Sequence, residues 1–545
     1  MKTTADFISA AVRSIARIFG SSLRDKGPGD RSRRKFGAAV ARVCETLECR
    51  RLLAVISGVP VWQFDGPSPI VDGGSAIPGA PAQNGASDQS NPVIGAIQAL
   101  APDPSHPNIL YVGTVNNGIW VTHDATDTDP FANSLPMWTS LTLQYPSLSI
   151  GSLALDPLDP SHQTLFAGLG RTSSAYYDGG PGTGVMKTID GGKSWTTVAQ
   201  SLFSGLAVNH IFPTTLTTSQ GQLILAEASV PGGGSASGGV FLSPDGGTTW
   251  TRISGAAGTN LPADGYPAGV GESGVTIDPS NNHILYAAVP GKGVFLSNSS
   301  DPNKVGTTWV PVNGDLPPAI IAQSNYMDVA AGANSVFAAF FNSASSTPLG
   351  FFHSTNSGAT WTPIDIPNDP NDSDQGGYPY LGHMSVDPSN PNVIYVAGGQ
   401  VPAGGPYRED VSQPRGSQVT LVVGSGANGT SPHADARDFA WDAQGNFLQS
   451  DDGGVYRLVH PASSSRVWQS VIGNIIATEF YSVAWDSVNH VAIGASQDNG
   501  VEQQYGGIDF LGWTTALQGD GYEVAIYNSP AIDFLDIPAF SIHYY

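Results

Sequence analysis

Short apolar runs separated by turn sequences are the dominant pattern of the chain. A unit of one apolar run, an Asp-Pro turn and a second β-rich run recurs at 100–113, 153–168, 275–288 and 384–398. Proline presets the turn dihedral, and Asp and Asn side chains bond to nearby backbone amides, so each unit predicts two strands joined by a turn. Repetition at this spacing indicates a repeat fold built from small β-sheets.

A second recurring sequence closes several of these units, with the pattern S-x-D-x-G-x-T-W. The segments 188–195, 243–250 and 354–361 fit it with small substitutions, 122–138 and 297–309 fit it with insertions, and 450–456 fits it with Tyr in place of Trp. An Asp carboxylate can accept turn amides, Gly allows positive φ and Trp packs beneath the turn, so a β-hairpin is predicted. The residues expected to build these hairpins are Asp190, Trp195, Asp245, Trp250, Asn356, Trp361 and Asp452.

This hairpin sequence resembles the Asp-box of the BNR-repeat families. Trp195, Trp250, Trp309 and Trp361 are separated by 55, 59 and 52 residues, which suits four strands with their loops. The expected fold class is therefore all-β: a β-propeller of about seven to eight four-stranded blades, of which the last could be incomplete, after a basic N-terminal leader. The expected units lie near 95–141, 150–198, 204–253, 272–311, 326–363, 382–425, 433–471 and 480–527.

Further segments between residues 60 and 525 resemble large bacterial sortilin-like propeller proteins. They are 62–70, 146–151, 433–435, 452–456, 480–483, 497–500 and 519–521. Relatives of this kind usually run further, with a last blade and often an anchoring domain. The resemblance therefore implies that the chain could be a C-terminally truncated fragment, and it leaves ring closure open.

Composition and charge restrict the function. The chain of 545 residues has 66 Gly and 41 Pro, which oppose long helices. Residues 1–54 carry 12 basic and 5 acidic side chains, a net charge of +7, while the rest carries 11 basic and 40 acidic ones, a net charge of −29. Such a field repels nucleic-acid phosphates, so nucleic acid is not an expected partner. Both cysteines, Cys44 and Cys49, lie in the basic part, which excludes a disulfide scaffold or a cysteine nucleophile in the body.

The N-terminal part predicts export. The segment 47–54 resembles the LExRRLLA sorting motif of many exported planctomycete proteins, which implies a secreted or cell-surface body that meets the membrane only during export. A membrane-surface helix and a disordered basic tail are the alternatives. The expected domains are a leader at 1–54, an entry segment at 55–94, the Asp-box propeller at 95–530 and a C-terminal remnant at 531–545. The protein is expected to be a monomer.

Acidic residues in the last segments of the chain are the candidates for catalysis, because glycoside hydrolysis needs two carboxylates across a sugar-sized gap. The catalytic candidates are Asp435, Asp498 and Asp520, and the ligand-binding candidates are His433, Arg437, Trp441 and Tyr522. In xyloglucanase-type relatives the base is an Asp of a first-blade D-x-G-G-x-Y segment, whereas the corresponding stretch here has Val115 at that position. That difference argues against direct transfer of the activity, and a sialidase is disfavoured because no early R-I-P segment occurs.

Two function classes therefore stay open. The first is a binding or scaffold propeller for a glycan or extracellular protein ligand, and the second is a glycoside hydrolase. No cofactor is certain. Ca²⁺ could bind the acidic loop that contains Asp369, Asn371 and Asp374, although a solvated loop is the simpler interpretation. The scattered histidines lack metal-ligand spacing along the chain and are expected in turns.

Overall fold

The structure is a computed structural model that describes most of the chain after the leader. The described residues are 65–71, 73, 92–128, 135–145, 147–170, 179–180, 182–230, 238–263, 274–342, 347–367, 384–397, 406–504, 512–517 and 519–526. The leader and the loop with Asp369, Asn371 and Asp374 lie outside them. The chain divides into two units, 1–63 and 64–545, and every element described below belongs to the second. Among these residues, no helix has the length and apolar character needed to cross a membrane.

The described part is almost entirely β-structure, arranged in eight sheets. The strands of the first four sheets are β2 Ile97–Pro102, β3 Leu110–Thr114, β4 Ile119–Thr122 and β5 Trp138–Ser140; β6 Ile150–Leu155, β7 Leu165–Leu169, β8 Val185–Thr188 and β9 Thr196–Val198; β10 Ala207–Thr217, β11 Gln222–Ser229, β12 Gly239–Ser243 and β13 Thr251–Arg252; and β14 Val275–Ile277, β15 Ile284–Val289, β16 Gly293–Asn298 and β17 Val310–Pro311.

The remaining sheets follow the same order along the chain. Their strands are β18 Tyr326–Gly332, β19 Ser335–Asn342, β20 Thr347–Ser354 and β21 Thr362–Pro363; β22 Met384–Val386, β23 Val393–Val396, β24 Tyr407–Asp410 and β25 Val419–Leu421; β26 Ala436–Trp441, β27 Phe447–Asp451, β28 Gly454–Val459 and β29 Val467–Ser470; and β30 Phe480–Asp486, β31 Val491–Ser496, β32 Gly500–Gln504 and β33 Trp513–Leu517, to which β1 Ile70–Val71 is added. Among the described residues, the α-helix α1 Pro318–Gln323 and the 3₁₀-helices Pro302–Lys304 and Ser425–Ala427 connect strands.

Within each sheet, strands that are consecutive in the chain pair side by side and antiparallel. The second strands are the most apolar: β3, β7 and β15 are buried along their whole length. The fourth strands are short and largely exposed, as in β13 and β21. This gradient follows from the sequence, because each unit begins with apolar runs and ends in a polar hairpin.

The first seven sheets pack face to face in a closed ring. Neighbouring sheets share apolar cores, such as the one that joins Leu225 of the third sheet to Leu285 of the fourth. The ring closes where β2 packs directly on β26, and the Leu100 amide there donates to Asp438 Oδ2 at 2.8 Å. Between the same two sheets, the Trp138 indole of β5 donates to the carbonyl of Val471, which follows β29, at 3.0 Å. The predicted all-β propeller of seven to eight blades is confirmed, and ring closure occurs at seven.

The innermost strands of the ring enclose a central cavity. Residues of β2, β6, β10 and β26 line a volume of about 300 Å³. Because these are the first strands of the first, second, third and seventh sheets, the cavity lies on the inner side of the ring. This is the arrangement of a propeller, in which each sheet presents its first strand to the central channel.

The eighth sheet lies outside the closed ring and has apolar cores of its own. One of them contains Ile493, Ala495, Val501 and Val524. β1 adds a fifth strand, parallel to β33, with Ile70 opposite Trp513. The ring and this sheet meet at the turn between β27 and β28. At that junction the Asn499 side chain donates to the Asp452 carbonyl at 3.1 Å.

Three hairpins between third and fourth strands share one hydrogen-bond pattern. In the second sheet Asp190 Oδ1 accepts the Ser194 amide at 2.9 Å, and the Trp195 indole donates to the Gly192 carbonyl at 3.1 Å. Hydrogen bonds from Ser194 lower the pKa of Asp190 to about 2. In the third sheet the equivalent contacts are those of Asp245 with Thr249 and of Trp250 with Gly247. In the fifth sheet Asn356 accepts the Thr360 amide, whereas the Trp361 indole donates to the carbonyl of Val312, which follows β17. The Asp, Asn and Trp side chains of these three hairpins therefore have a structural role, because they bond to backbone groups.

The expectation for Asp452 needs correction. Its segment forms the turn between β27 and β28, which are the second and third strands of the seventh sheet, so it lies at the opposite end of the sheet from the Trp hairpins. The turn amide of Gly453 is accepted by Asp451 at 3.0 Å, and the Asp452 carboxylate pairs with Arg437 instead. The segment 450–456 therefore forms a different turn from the one its sequence predicts, and its second acid, Asp452, lies at the junction with the eighth sheet.

Candidate functional site

Three carboxylates meet where the seventh and eighth sheets adjoin. Asp435 precedes β26, Asp452 lies between β27 and β28, and Asp498 lies between β31 and β32. One carboxylate oxygen from each lies within 4.8 Å of the others. Asp435 and Asp498 have positive φ values of 61° and 59°, a turn conformation that Asp tolerates better than most residues. Asp520 extends this acid cluster, because its Oδ1 accepts the Asp498 amide at 3.2 Å.

The members of the acid cluster differ in charge. Arg437 forms a buried ion pair with Asp452 and also donates to Gln98 Oε1 at 2.7 Å. Burial, followed by the charge of Asp452, raises the pKa of Asp435 to about 7. Burial and the hydrogen bond and charge of Asp452 raise the pKa of Asp498 to about 9. Asp498 therefore holds a proton at neutral pH, whereas Arg437 compensates the charge of Asp452.

Two tyrosines lie beside the acid cluster on the surface. Tyr481 of β30 and Tyr522 stack with their ring centroids 5.7 Å apart and their planes 15° apart. Their exposed fractions are 42% and 44%. Burial raises the pKa of Tyr481, and the charges of Asp498 and Asp520 raise it further, which shows how near the ring lies to the acids. We call these two residues the tyrosine pair.

Two exposed apolar residues follow Tyr481 in β30. Residues at alternate positions of a regular strand point to the same face, so Val483 and Trp485 are exposed on one face. The pairing of β30 with β31 shifts register between Phe480 and Ser482, which makes the strand irregular at Tyr481. The eighth sheet thus carries exposed apolar side chains near the acid cluster.

The predicted ligand-binding residues occupy different places. His433 is buried, with Nδ1 3.1 Å from the Ala434 carbonyl, and burial lowers its pKa. Arg437 is buried in its ion pair with Asp452. Trp441 is corrected by the structure, since its indole donates to Ser385 Oγ at 2.8 Å in the core between the sixth and seventh sheets. It lies at the far end of β26 from Asp435, so only Tyr522 shares the surface of the acid cluster.

Sequence reasoning missed Tyr481 and the exposed residues Val483 and Trp485 that follow it in β30. The signal was present, because these three residues alternate with smaller residues in the sequence. Such alternation usually marks a face that packs on a core, and only the structure shows that these side chains are exposed. A second group of residues that could hold a metal ion, formed by Asp103, His106 and His162, also went unrecognised.

Comparison with known proteins identifies the fold. No protein-family model matches the sequence, and no curated protein matches it. An ancestral GH74 enzyme is similar in structure with a TM-score of 0.53 and 16% identity, covering 82% of this chain and 54% of that enzyme. The GH74 xyloglucanase from Xanthomonas campestris has a TM-score of 0.50 and 16% identity, covering 80% of this chain and 70% of that chain. The chain therefore spans about half the length of the ancestral enzyme, and at this identity the similarity establishes a propeller fold.

Proposed function

We propose that the chain is an exported or cell-surface propeller that binds a neutral glycan at the junction of its seventh and eighth sheets. The observation that carries this proposal is the exposed tyrosine pair beside the acid cluster. Aromatic rings offer a flat apolar surface to the C–H faces of a sugar, and carboxylates accept hydrogen bonds from its hydroxyl groups. The exposed side chains of Val483 and Trp485, further along β30, offer additional apolar contact.

Charge favours a neutral ligand over an acidic one. The net charge of the whole protein is −22, and the body alone carries −29. An anionic polysaccharide or nucleic acid would be repelled by this field at the ionic strengths where electrostatic steering operates. The sorting-motif resemblance of the leader is consistent with an extracellular glycan ligand. Two GH74 enzymes share the fold, which is compatible with a glycan ligand.

Binding of a soluble polysaccharide panel tests the proposal. The panel contains xyloglucan, another neutral glucan, a mannan and an acidic polysaccharide, and binding is measured by affinity electrophoresis and calorimetry. We expect a neutral member to bind, and Tyr522→Ala to weaken binding by about 1.5 kcal/mol, or roughly tenfold. Val310→Ala, at an exposed site of the fourth sheet, is the control and should bind like the wild type. Absence of binding to every polysaccharide would leave a protein ligand as the better proposal, and equal binding by Tyr522→Ala would place the glycan site away from the tyrosine pair.

Glycoside hydrolysis is the second candidate, and the different protonation of the acids favours it. A protonated Asp498 beside an ionised carboxylate resembles the acid and base assignment of hydrolases. One oxygen from each of Asp435, Asp452 and Asp498 lies within 4.8 Å of the others, however, which is below the separation of about 5–5.5 Å in retaining enzymes and of about 6.5–9.5 Å in inverting ones. This spacing makes binding the better supported function.

Reducing-sugar release from the same panel separates the two candidates. Binding alone predicts no release above that of a buffer control during a long incubation. A hydrolase predicts release that is lost in both Asp435→Asn and Asp498→Asn while polysaccharide binding persists. Release that survives both substitutions would point to a contaminating enzyme, and the binding proposal would then stand on the calorimetry.

A further inference from the structure

The turns that follow the first strands of the first and second sheets carry the same residues. Asp-Pro-Ser-His occurs at 103–106 and again at 159–162. In the first turn Asp103 Oδ1 accepts the amides of Ser105 and His106 at 2.8 Å and 2.9 Å. In the second, Asp159 accepts the Ser161 amide at 2.9 Å. These bonds hold each turn in place and fix the position of its histidine.

The two turns bring both histidines to one carboxylate. His106 Nδ1 lies 3.1 Å from Asp103 Oδ1, and His162 Nδ1 lies 2.9 Å from Asp103 Oδ2. One possible ligand atom from each of the three residues lies within 4.8 Å of the others. The Asp103 side chain is buried, while that of His106 is 61% exposed, so the group is anchored on one side and open to solvent on the other.

We infer that Asp103, His106 and His162 form a binding site for a divalent transition-metal ion of the zinc and copper class. Imidazole nitrogens with one carboxylate are donors that such ions prefer, whereas calcium and magnesium prefer sets made of oxygen. A neutral imidazole can carry its hydrogen on Nε2 and present the Nδ1 lone pair to the ion. The nitrogen and oxygen atoms are about 3 Å apart, which suits two ligands of one ion at bond lengths of about 2.0–2.2 Å.

The place of the site in the ring gives it a structural consequence. Asp103 and His106 belong to the first sheet, and His162 belongs to the second, so one ion would connect neighbouring sheets. Three protein ligands leave a fourth position of a tetrahedral ion for water. Binding to the folded chain alone would stabilise it by mass action. The negative net charge of the protein favours the approach of any cation, but it does not select the residues that hold one.

Calorimetric titration of the full chain with Zn²⁺, after treatment with EDTA and dialysis, tests the site. We expect one saturable site and a higher thermal unfolding temperature with Zn²⁺ than with EDTA. His162→Gln and His106→Gln should each weaken the binding of Zn²⁺ by more than the about 10–100-fold typical for loss of an outer-shell partner. Asp103→Asn, which keeps an oxygen for the turn amides, should weaken it as well.

His283→Gln is the matched control. His283 occupies the corresponding turn of the fourth sheet, where its Nδ1 lies 2.6 Å from the Ser299 carbonyl. This variant should bind Zn²⁺ like the wild type. Circular dichroism checks that each variant is folded. A wild type without saturable binding would overturn the inference, because the contacts would then serve only as hydrogen bonds. Unchanged affinity in both His106→Gln and His162→Gln would overturn it too, by placing the ion elsewhere.

Discussion

Replacing Asp498 by Asn removes an acid of the junction whose pKa is strongly raised. The folded state raises the pKa of Asp498 to about 9, while an unfolded Asp titrates near 3.9. A carboxyl group with a raised pKa stabilises the fold fully below the unfolded value, and this contribution is lost as the pH rises through the folded value. Between pH 5 and 8 the wild type should therefore become less stable as the pH increases.

The size of this effect follows from proton linkage. One proton that is retained by the folded state and absent from the unfolded state gives a slope of about 1.4 kcal/mol per pH unit. Because Asp435 has a raised pKa of about 7 and is affected by the same Asp452 charge, it adds to the slope below that pH. Asn cannot ionise, so Asp498→Asn should lose about 1 kcal/mol per pH unit of this dependence and gain stability over the wild type at pH 8.

Urea unfolding followed by tryptophan fluorescence at pH 5, 6, 7 and 8 measures the slope. Asp190→Asn is the control, since the pKa of Asp190 is lowered to about 2. Its stabilising contribution is lost only as the pH falls towards that value, so this substitution should shift stability equally at all four pH values. Parallel lines for Asp498→Asn and the wild type would refute the assignment of a protonated Asp498.

Two further substitutions test the contacts of the ring. Arg437→Met leaves the Asp452 charge buried without its cation, so it should lower the free energy of unfolding in urea by about 3–5 kcal/mol. Arg415→Met breaks an exposed pair with Asp365 at 3.7 Å and should lower it by less than about 1 kcal/mol. Similar losses in the two variants would contradict the importance of the buried pair. Asp245→Ala removes the acceptor of the Thr249 amide and hydroxyl, so it should destabilise the folded protein by about 1–2 kcal/mol. Asp245→Asn should destabilise it less, because Asn356 fills the same role in the fifth sheet. Equal thermal stability of the Ala variant and the wild type would argue against this turn function.

The sheets were predictable because their signals are local. Each unit carries apolar runs, turn residues and a Trp hairpin within about fifty residues, and the expected unit 326–363 begins and ends with β18 and β21. Ring closure was not predictable, because it depends on β2 packing against β26, more than 300 residues later in the chain. The seven-sheet ring and the separate eighth sheet follow from that long-range contact.

The candidate site was predictable only in part. The acids of the late segments do converge, but the sequence 450–456 does not show which turn of the sheet it occupies, so its similarity to the Trp hairpins misplaces Asp452. Trp441 is near Asp435 in the sequence, but it is the last residue of the six-residue strand β26, so it lies at the opposite end of that strand from Asp435. The two histidines near Asp103 belong to turns 56 residues apart, and spacing along the chain does not show that adjacent sheets bring them together.

A crystal structure of the chain with a neutral oligosaccharide that it binds tests glycan binding at the tyrosine pair most directly. We expect sugar rings stacked on Tyr481 and Tyr522, with hydroxyl groups donating to Asp520 and to the acids behind it. Oligosaccharide bound at the central cavity or on another face of the ring, with the tyrosine pair left exposed, would contradict it.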